Sequence, residues 1–132
     1  MLEMTDALDR DVGDRPLGGV VGTGRIGTNV AKALSGFGST LLAYDVYENP
    51  ELEGIVRYTS LEEIFSECHA VSLHTPLLEE TVGMIRGEHF AAMRQQAVFI
   101  NTARGGVIRQ PEMGKVLQSR PDLTAYLDVL ES

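Results

Sequence analysis

The sequence predicts an α/β fold, a doubly wound parallel sheet of about six strands in a single domain. Three observations predict it. Short apolar runs alternate with stretches of helical periodicity along most of the chain, the pattern of strands joined by crossover helices. A glycine-rich turn, Gly22-Thr23-Gly24-Arg25-Ile26-Gly27, sits between the first run and the first helical pattern. The polar residues that stand out, Asp45, His74-Thr75-Pro76, Asn101–Arg104 and Asp128, all follow directly on apolar runs. Parallel strands put all such positions on one edge of the sheet, where ligands of open α/β sheets bind.

Taken in order, residues 1–16 are polar, carry four aspartates and end at Pro16. They read as an N-terminal arm, with the domain itself spanning 17–132. Leu17 to Gly22 is the first strand, short and glycine-rich. Ile26, Val30 and Leu34 follow at i, i+4, i+8 and predict the apolar face of a helix. Ser39 to Tyr44 is the second strand, ending at Asp45. A loop around Pro50 leads to a weak third strand, Ile55–Tyr58. Ser60 with Glu63 forms a capping-box pattern, and the helix it opens carries Leu61, Ile64 and Phe65 on one face. Ala70–His74 is the fourth strand, stopped by Thr75-Pro76. Residues 77–95 read as helical in two pieces, from Glu79 and from Glu88. Ala97–Ile100 is a buried strand ending at Asn101. Pro111 suits a first helical turn, with Met113, Val116 and Leu117 as the apolar edge behind it. Thr124–Leu127 is the sixth strand, ending at Asp128.

The glycines have a chemical reading. A pyrophosphate binds the N–H groups of a helix N-terminus, where the helix dipole favours an anion. Gly22 permits the tight turn out of the strand, Gly24 removes the Cβ that would hold the backbone off the phosphates, and Gly27 lets helix and strand approach. Arg25 and Ile26 then offer first-turn N–H donors. The turn alone is weak evidence, but strand, helix and an acid about 20 residues on make up the dinucleotide-binding pattern of the Rossmann fold. Asp45 is that acid. A carboxylate there accepts hydrogen bonds from ribose hydroxyls and repels a 2′-phosphate, which favours NAD over NADP. Taken alone, Asp45 would read as no more than the start of its loop.

With 132 residues, 43% of them apolar, the chain is long enough to bury a core. Eleven basic against nineteen acidic side chains give a net charge of −8, which argues against a nucleic-acid partner. A lone cysteine, Cys68, excludes a disulfide framework and a cysteine metal site. No metal is expected. The acidic N-terminus is not a signal peptide, and no apolar run approaches membrane-spanning length. A cytoplasmic, membrane-free protein is the expectation.

The same motifs, with Leu127-Asp128-Val129 as the last of five in order, resemble the NAD-binding domain of the D-isomer-specific 2-hydroxyacid dehydrogenases, to which phosphoglycerate, glycerate and D-lactate dehydrogenases belong. The resemblance runs from about Leu17 to Val129. It implies that Arg25 and Ile26 hold the pyrophosphate, with Gly22, Gly24 and Gly27 as the cofactor-binding turn, and that Asp45 holds the adenosine ribose. It also implies that Thr75 and Pro76 line the cofactor cleft, Thr102 and Ala103 lie under the nicotinamide, and Asp128 bonds its amide. Arg104 resembles the catalytic arginine, whose fork suits the carboxylate and carbonyl of a 2-oxo acid. The implied reaction is hydride transfer between C2 of a D-2-hydroxy acid and NAD, and the implied assembly is a homodimer.

The family also uses a histidine as general acid/base and a glutamate that orients it. Both are expected after Asp128, beyond Ser132, and His69, His74, His89 and Glu131 do not match them. The substrate domain is likewise expected to be absent, so the chain is expected to be inactive alone. The first strand is shorter than the family pattern, which has more residues, including a lysine, before the fingerprint. An NAD-sensing module resembling dehydrogenase-like corepressors, or a decayed fragment, are the alternative readings.

Overall fold

The computed structural model describes residues 17–103 and 105–127. The expected arm at 1–16 lies outside them, as do Arg104 and Asp128. Six parallel strands form one sheet: β1 (Leu17–Val21), β2 (Thr40–Tyr44), β3 (Arg57–Tyr58), β4 (Ala70–Leu73), β5 (Val98–Asn101) and β6 (Thr124–Leu127). Their order is β3-β2-β1-β4-β5-β6. The winding reverses between β1 and β4, the switch point where such sheets open a crevice. Four helices are described: α1 (Arg25–Ser35), α2 (Leu61–Glu67), α3 (Gly87–Ala91) and α4 (Gln110–Ser119). Short 3-10 turns cover Pro50–Leu52, Glu79–Thr81 and Gly105–Val107.

Alternation along the strands divides the core between the two faces. Val20 and Leu41 pack with Ala31 of α1 and Leu52 of the first 3-10 turn. Val21, Leu42, Val71, Leu73 and Phe99 belong to a larger cluster with residues of α2, α3 and α4. Phe65, Phe90 and Phe99 form its centre. Phe90 meets Phe99 edge-on with ring centroids 4.9 Å apart, and meets Phe65 edge-on at 5.6 Å, the arrangement the ring quadrupoles favour.

The elements follow the sequence expectation with two instructive differences. α1 buries the Ile26–Val30–Leu34 stripe only in part: Val30 and Leu34 are half-buried, with Leu34 packed on the core. Ile26 is 64% exposed, and the residues the helix fully buries are Gly27, Thr28 and Ala31. A Cβ on Gly27 would overlap the carbonyl oxygen of Gly22, so contact with the first turn selects small residues over large apolar ones. The capping box at α2 is half made. Ser60 Oγ accepts from Glu63 N–H at 3.1 Å, but the Glu63 carboxylate turns to Arg57 at 2.8 Å and to the Thr59 hydroxyl. A cation outbids the Ser60 backbone amide for it. The two expected helical pieces after Leu77 are the 3-10 turn Glu79–Thr81 and the five-residue α3.

Candidate functional site

The strand register makes the carboxyl edge level. Val21 pairs with Tyr44 on one side and Leu73 on the other, Leu73 pairs with Asn101, and Asn101 pairs with Leu127. Gly22, Asp45, His74 and Thr102 each follow directly on that row. The structure therefore brings together the strand-end residues singled out in the sequence, within the described range.

At the glycine turn, Gly22 takes φ +95°, and a Cβ there would press on His74 and the Thr75 nitrogen. Both constraints leave glycine alone. Among the described residues, no atom beyond Gly24's own chain neighbours lies within 4 Å of a notional Cβ, so its side is open to a ligand. Arg25 and Ile26 are exposed in the first turn of α1. The turn fits a pyrophosphate on these criteria: a helix N-terminus, open space and no side chain in the way.

Asp45 is held from one side. Its Oδ2 accepts the Thr23 backbone N–H at 2.7 Å and the Thr23 hydroxyl at 3.3 Å. Among the described residues, its Oδ1 has only a long contact, 3.4 Å, with the Tyr47 N–H. One carboxylate oxygen thus remains able to take a ribose hydroxyl. Asp45 borders an apolar slot with Tyr44, Val46, Thr75, Pro76 and Leu78. Pro76 is exposed there, whereas Thr75 is buried and its hydroxyl donates to the Val21 carbonyl at 3.3 Å, tying β4 to β1. Two larger hollows, each about 580 Å³, lie elsewhere: one beside Leu17, Thr40 and Glu67 at the amino ends of the strands, the other beside Glu48 and Glu53. Neither gathers the strand-end groups, so the smaller slot marks the site.

At the other end of the row, Thr102 is exposed. Its hydroxyl donates to the Leu73 carbonyl at 3.1 Å and lies 3.0 Å from His74 Nδ1. His74 Nε2 lies 2.6 Å from the Ser72 hydroxyl, so the ring is held between two hydroxyls whose donor and acceptor roles follow its tautomer. Burial lowers the His74 pKa from its usual value, which favours the neutral ring. Asn101, 1% exposed, accepts the Ala103 N–H at 2.8 Å and shapes the loop that presents Thr102 and Ala103. Sequence reasoning did not single out Thr23, Tyr58, Asn49 or Ser72 for this edge.

A family model described as D-isomer specific 2-hydroxyacid dehydrogenase, NAD binding domain, matches residues 7–132. The chain belongs to this family. Among similar members, a D-2-hydroxyacid dehydrogenase (NAD(+)) of Clostridioides difficile is 41% identical over 115 residues, 86% of this chain and 35% of the relative. A glyoxylate reductase of Korarchaeum cryptofilum is 44% identical over 126 residues, 94% of this chain and 38% of the relative. A D-lactate dehydrogenase structure with NAD+ from Lactobacillus jensenii superposes with a TM-score of 0.78 at 38% identity, over 87% of this chain and 35% of that one. The chain thus spans about a third of the length of these family members. It is a NAD-binding domain of the D-2-hydroxyacid dehydrogenase family, and NAD is its cofactor. No helix among its described residues is long and apolar enough to cross a membrane.

Proposed function

We propose that the chain supplies the cofactor half of an NAD-dependent oxidoreductase acting on D-2-hydroxy acids, and that it binds NAD(H) without turning over a substrate by itself. The observation that carries this reading is the level edge, with the open glycine turn and half-free Asp45 at one end and Thr102 and Ala103 at the other. Bound NAD supplies the hydride acceptor. The first-turn N–H groups of α1, at Arg25 and Ile26, meet the pyrophosphate, and Asp45 Oδ1 meets the adenosine ribose and disfavours a 2′-phosphate. Pro76 walls the adenosine side of the cleft, while Thr102 and Ala103 floor its nicotinamide end. Arg104, next in sequence, is the substrate-side cation for the carboxylate and carbonyl of a 2-oxo acid, and Asp128 bonds the carboxamide. Both rest on the sequence pattern alone.

Turnover also needs a proton carrier at C2. His74 is fixed between two hydroxyls, His89 is buried in α3 with Nδ1 accepting the Arg86 N–H, and His69 precedes β4 at the opposite edge. On this reading none of the three is the proton carrier. The working enzyme is proposed to be a cytoplasmic homodimer that adds a substrate domain, the histidine and its glutamate. Calorimetry with NADH and NADPH tests the cofactor reading: NADH binds more tightly, and Asp45→Ala weakens it about tenfold or more while leaving the fold intact. A folded chain that binds neither dinucleotide overturns it. NADH oxidation by the chain alone with a 2-oxo acid would overturn the expected inactivity.

A further inference from the structure

We infer that Tyr58, on the edge strand β3, is a positioning residue for cofactor selectivity, acting on Asp45 through Thr23. The inference rests on the reading of Asp45 as the ribose acceptor and extends it to a residue that touches neither ribose nor phosphate.

A carboxylate only accepts, so the Thr23 hydroxyl gives its proton to Asp45 Oδ2, 3.3 Å away. Its oxygen must then accept from its other neighbour, the Tyr58 hydroxyl at 2.8 Å. The Tyr58 oxygen in turn accepts the Asn49 backbone N–H at 2.9 Å. The result is a polarised chain, Asn49 N–H to Tyr58 to Thr23 to Asp45, in which every donor points towards the carboxylate. Bonds aligned in this way strengthen one another in a partly desolvated setting.

The far end of the chain is itself anchored. The Asn49 side chain accepts the Glu51 N–H at 2.9 Å and donates to the Thr28 hydroxyl at 2.9 Å. Thr28, buried in the first turns of α1, donates to the Thr23 carbonyl at 2.9 Å. Thr23 is therefore clamped at its carbonyl, its hydroxyl and its N–H. Both donors it gives to Asp45 go to the same oxygen, Oδ2. This fixes the carboxylate rotation and leaves Oδ1 as the oxygen offered to the cleft. Tyr58 does not border the Asp45 slot; it lines the hollow beside Glu48 and Glu53. Its effect on the cofactor must pass through Thr23.

This assigns Tyr58 a testable role. Tyr58→Phe removes the hydroxyl and keeps the ring. NADH affinity is expected to fall about three- to tenfold, the worth of one bond in a charge-terminated chain, while NADPH binds no more weakly than before, so the selectivity ratio drops. In an Asp45→Ala background the same change has no further effect on NADH, because there is no carboxylate left to orient. Thr23→Val breaks the relay at its middle while keeping the backbone N–H, gives the same NADH-selective loss, and decides the matter should Tyr58→Phe fail to fold. Equal loss of both dinucleotides, or full additivity with Asp45→Ala, overturns the role, since a merely structural tyrosine would act that way. Unchanged NADH binding in Tyr58→Phe overturns it too, with the ribose reading intact. A folded wild type bound equally by both dinucleotides, or by neither, sinks the ribose reading and this role together.

Discussion

The two faces of the sheet are built unequally. The face under α2, α3 and α4 buries three phenylalanines with a wide skirt of Leu, Ile, Val and Met. The face under α1 buries Val20, Ala31, Leu41 and Leu52, with Leu34, Ile55 and Val56 at its margin. Yet the thin face carries the glycine turn and the start of α1, and the polar network from Asn49 to Asp45 runs beside it. Stability is thus concentrated on one face, while the glycine-turn end of the site starts from the other; Tyr44 and Ala103, at the edge itself, still lean on the thick core. A thick core on one side allows the other to use glycines, open space and a half-satisfied carboxylate, each of which costs packing.

Damage to the thick face should be the costlier. Phe65→Ala removes the ring that touches His89, Phe90 and Phe99, and is expected to cost about 3–5 kcal/mol in chemical denaturation, a large share of a typical domain's stability. Leu52→Ala on the thin face, beside a hollow into which it can relax, should cost about 2 kcal/mol, the low end for such a truncation. Near-equal losses for the two would contradict the division. Gly27→Val sharpens it from the other side. The added side chain drives α1 away from Gly22, so NADH affinity should drop by more than tenfold in calorimetry, while the melting transition stays cooperative because the thick face is untouched.

A smaller effect comes from pH. Cys68, wholly buried against the thick face, has its thiol pushed up to about 12 by burial. The folded state holds this proton more tightly than the unfolded chain does. Its contribution is complete below about pH 9, the usual thiol value, and is lost as pH rises from there towards 12. At pH 8 a thiol reagent should react only after denaturation. His74 has the opposite sign. Burial lowers its folded pKa, so its contribution is present above the usual value of about 6.5 and is lost as pH falls below it. Replacing His74 with Gln should flatten the acid limb of a stability-against-pH curve.

Much of this was legible in the sequence for identifiable reasons. Buried parallel strands leave continuous apolar runs, and the level edge follows from strand ends that each carry a polar residue. The turn glycines are legible because Gly22 and Gly27 answer to backbone geometry, which tolerates no substitute. The face of α1 was legible only in part: Leu34 packs on the core, while Ile26 does not. Periodicity reports where large apolar residues lie, while the contact with the first turn selects Gly27 and Ala31, which weigh little on any hydropathy scale. The Tyr58 relay was not legible, because Thr23 and Tyr58 lie 35 residues apart and meet only when β3 adds to the sheet edge. Glu63 was misread for a different reason: its competing partners, Arg57 and Thr59, lie only six and four residues before it, and the charged partner wins over the Ser60 amide.

The level register has one more consequence. Asp45 follows β2 and Thr102 follows β5, with β1 and β4 between them. Three inter-strand steps of about 4.8 Å separate the two strands, roughly 14 Å in all. That span is set by backbone hydrogen bonding alone. The sheet is a ruler, and no side-chain substitution can change its length. A ligand that engages both ends must be two-headed and long enough to match it. Either head alone collects one end's contacts and forgoes the gain of being tethered to the other. Mutation is therefore free to retune each end separately, what the Asp45 end accepts and what the Thr102 end presents, while the distance between them stays fixed.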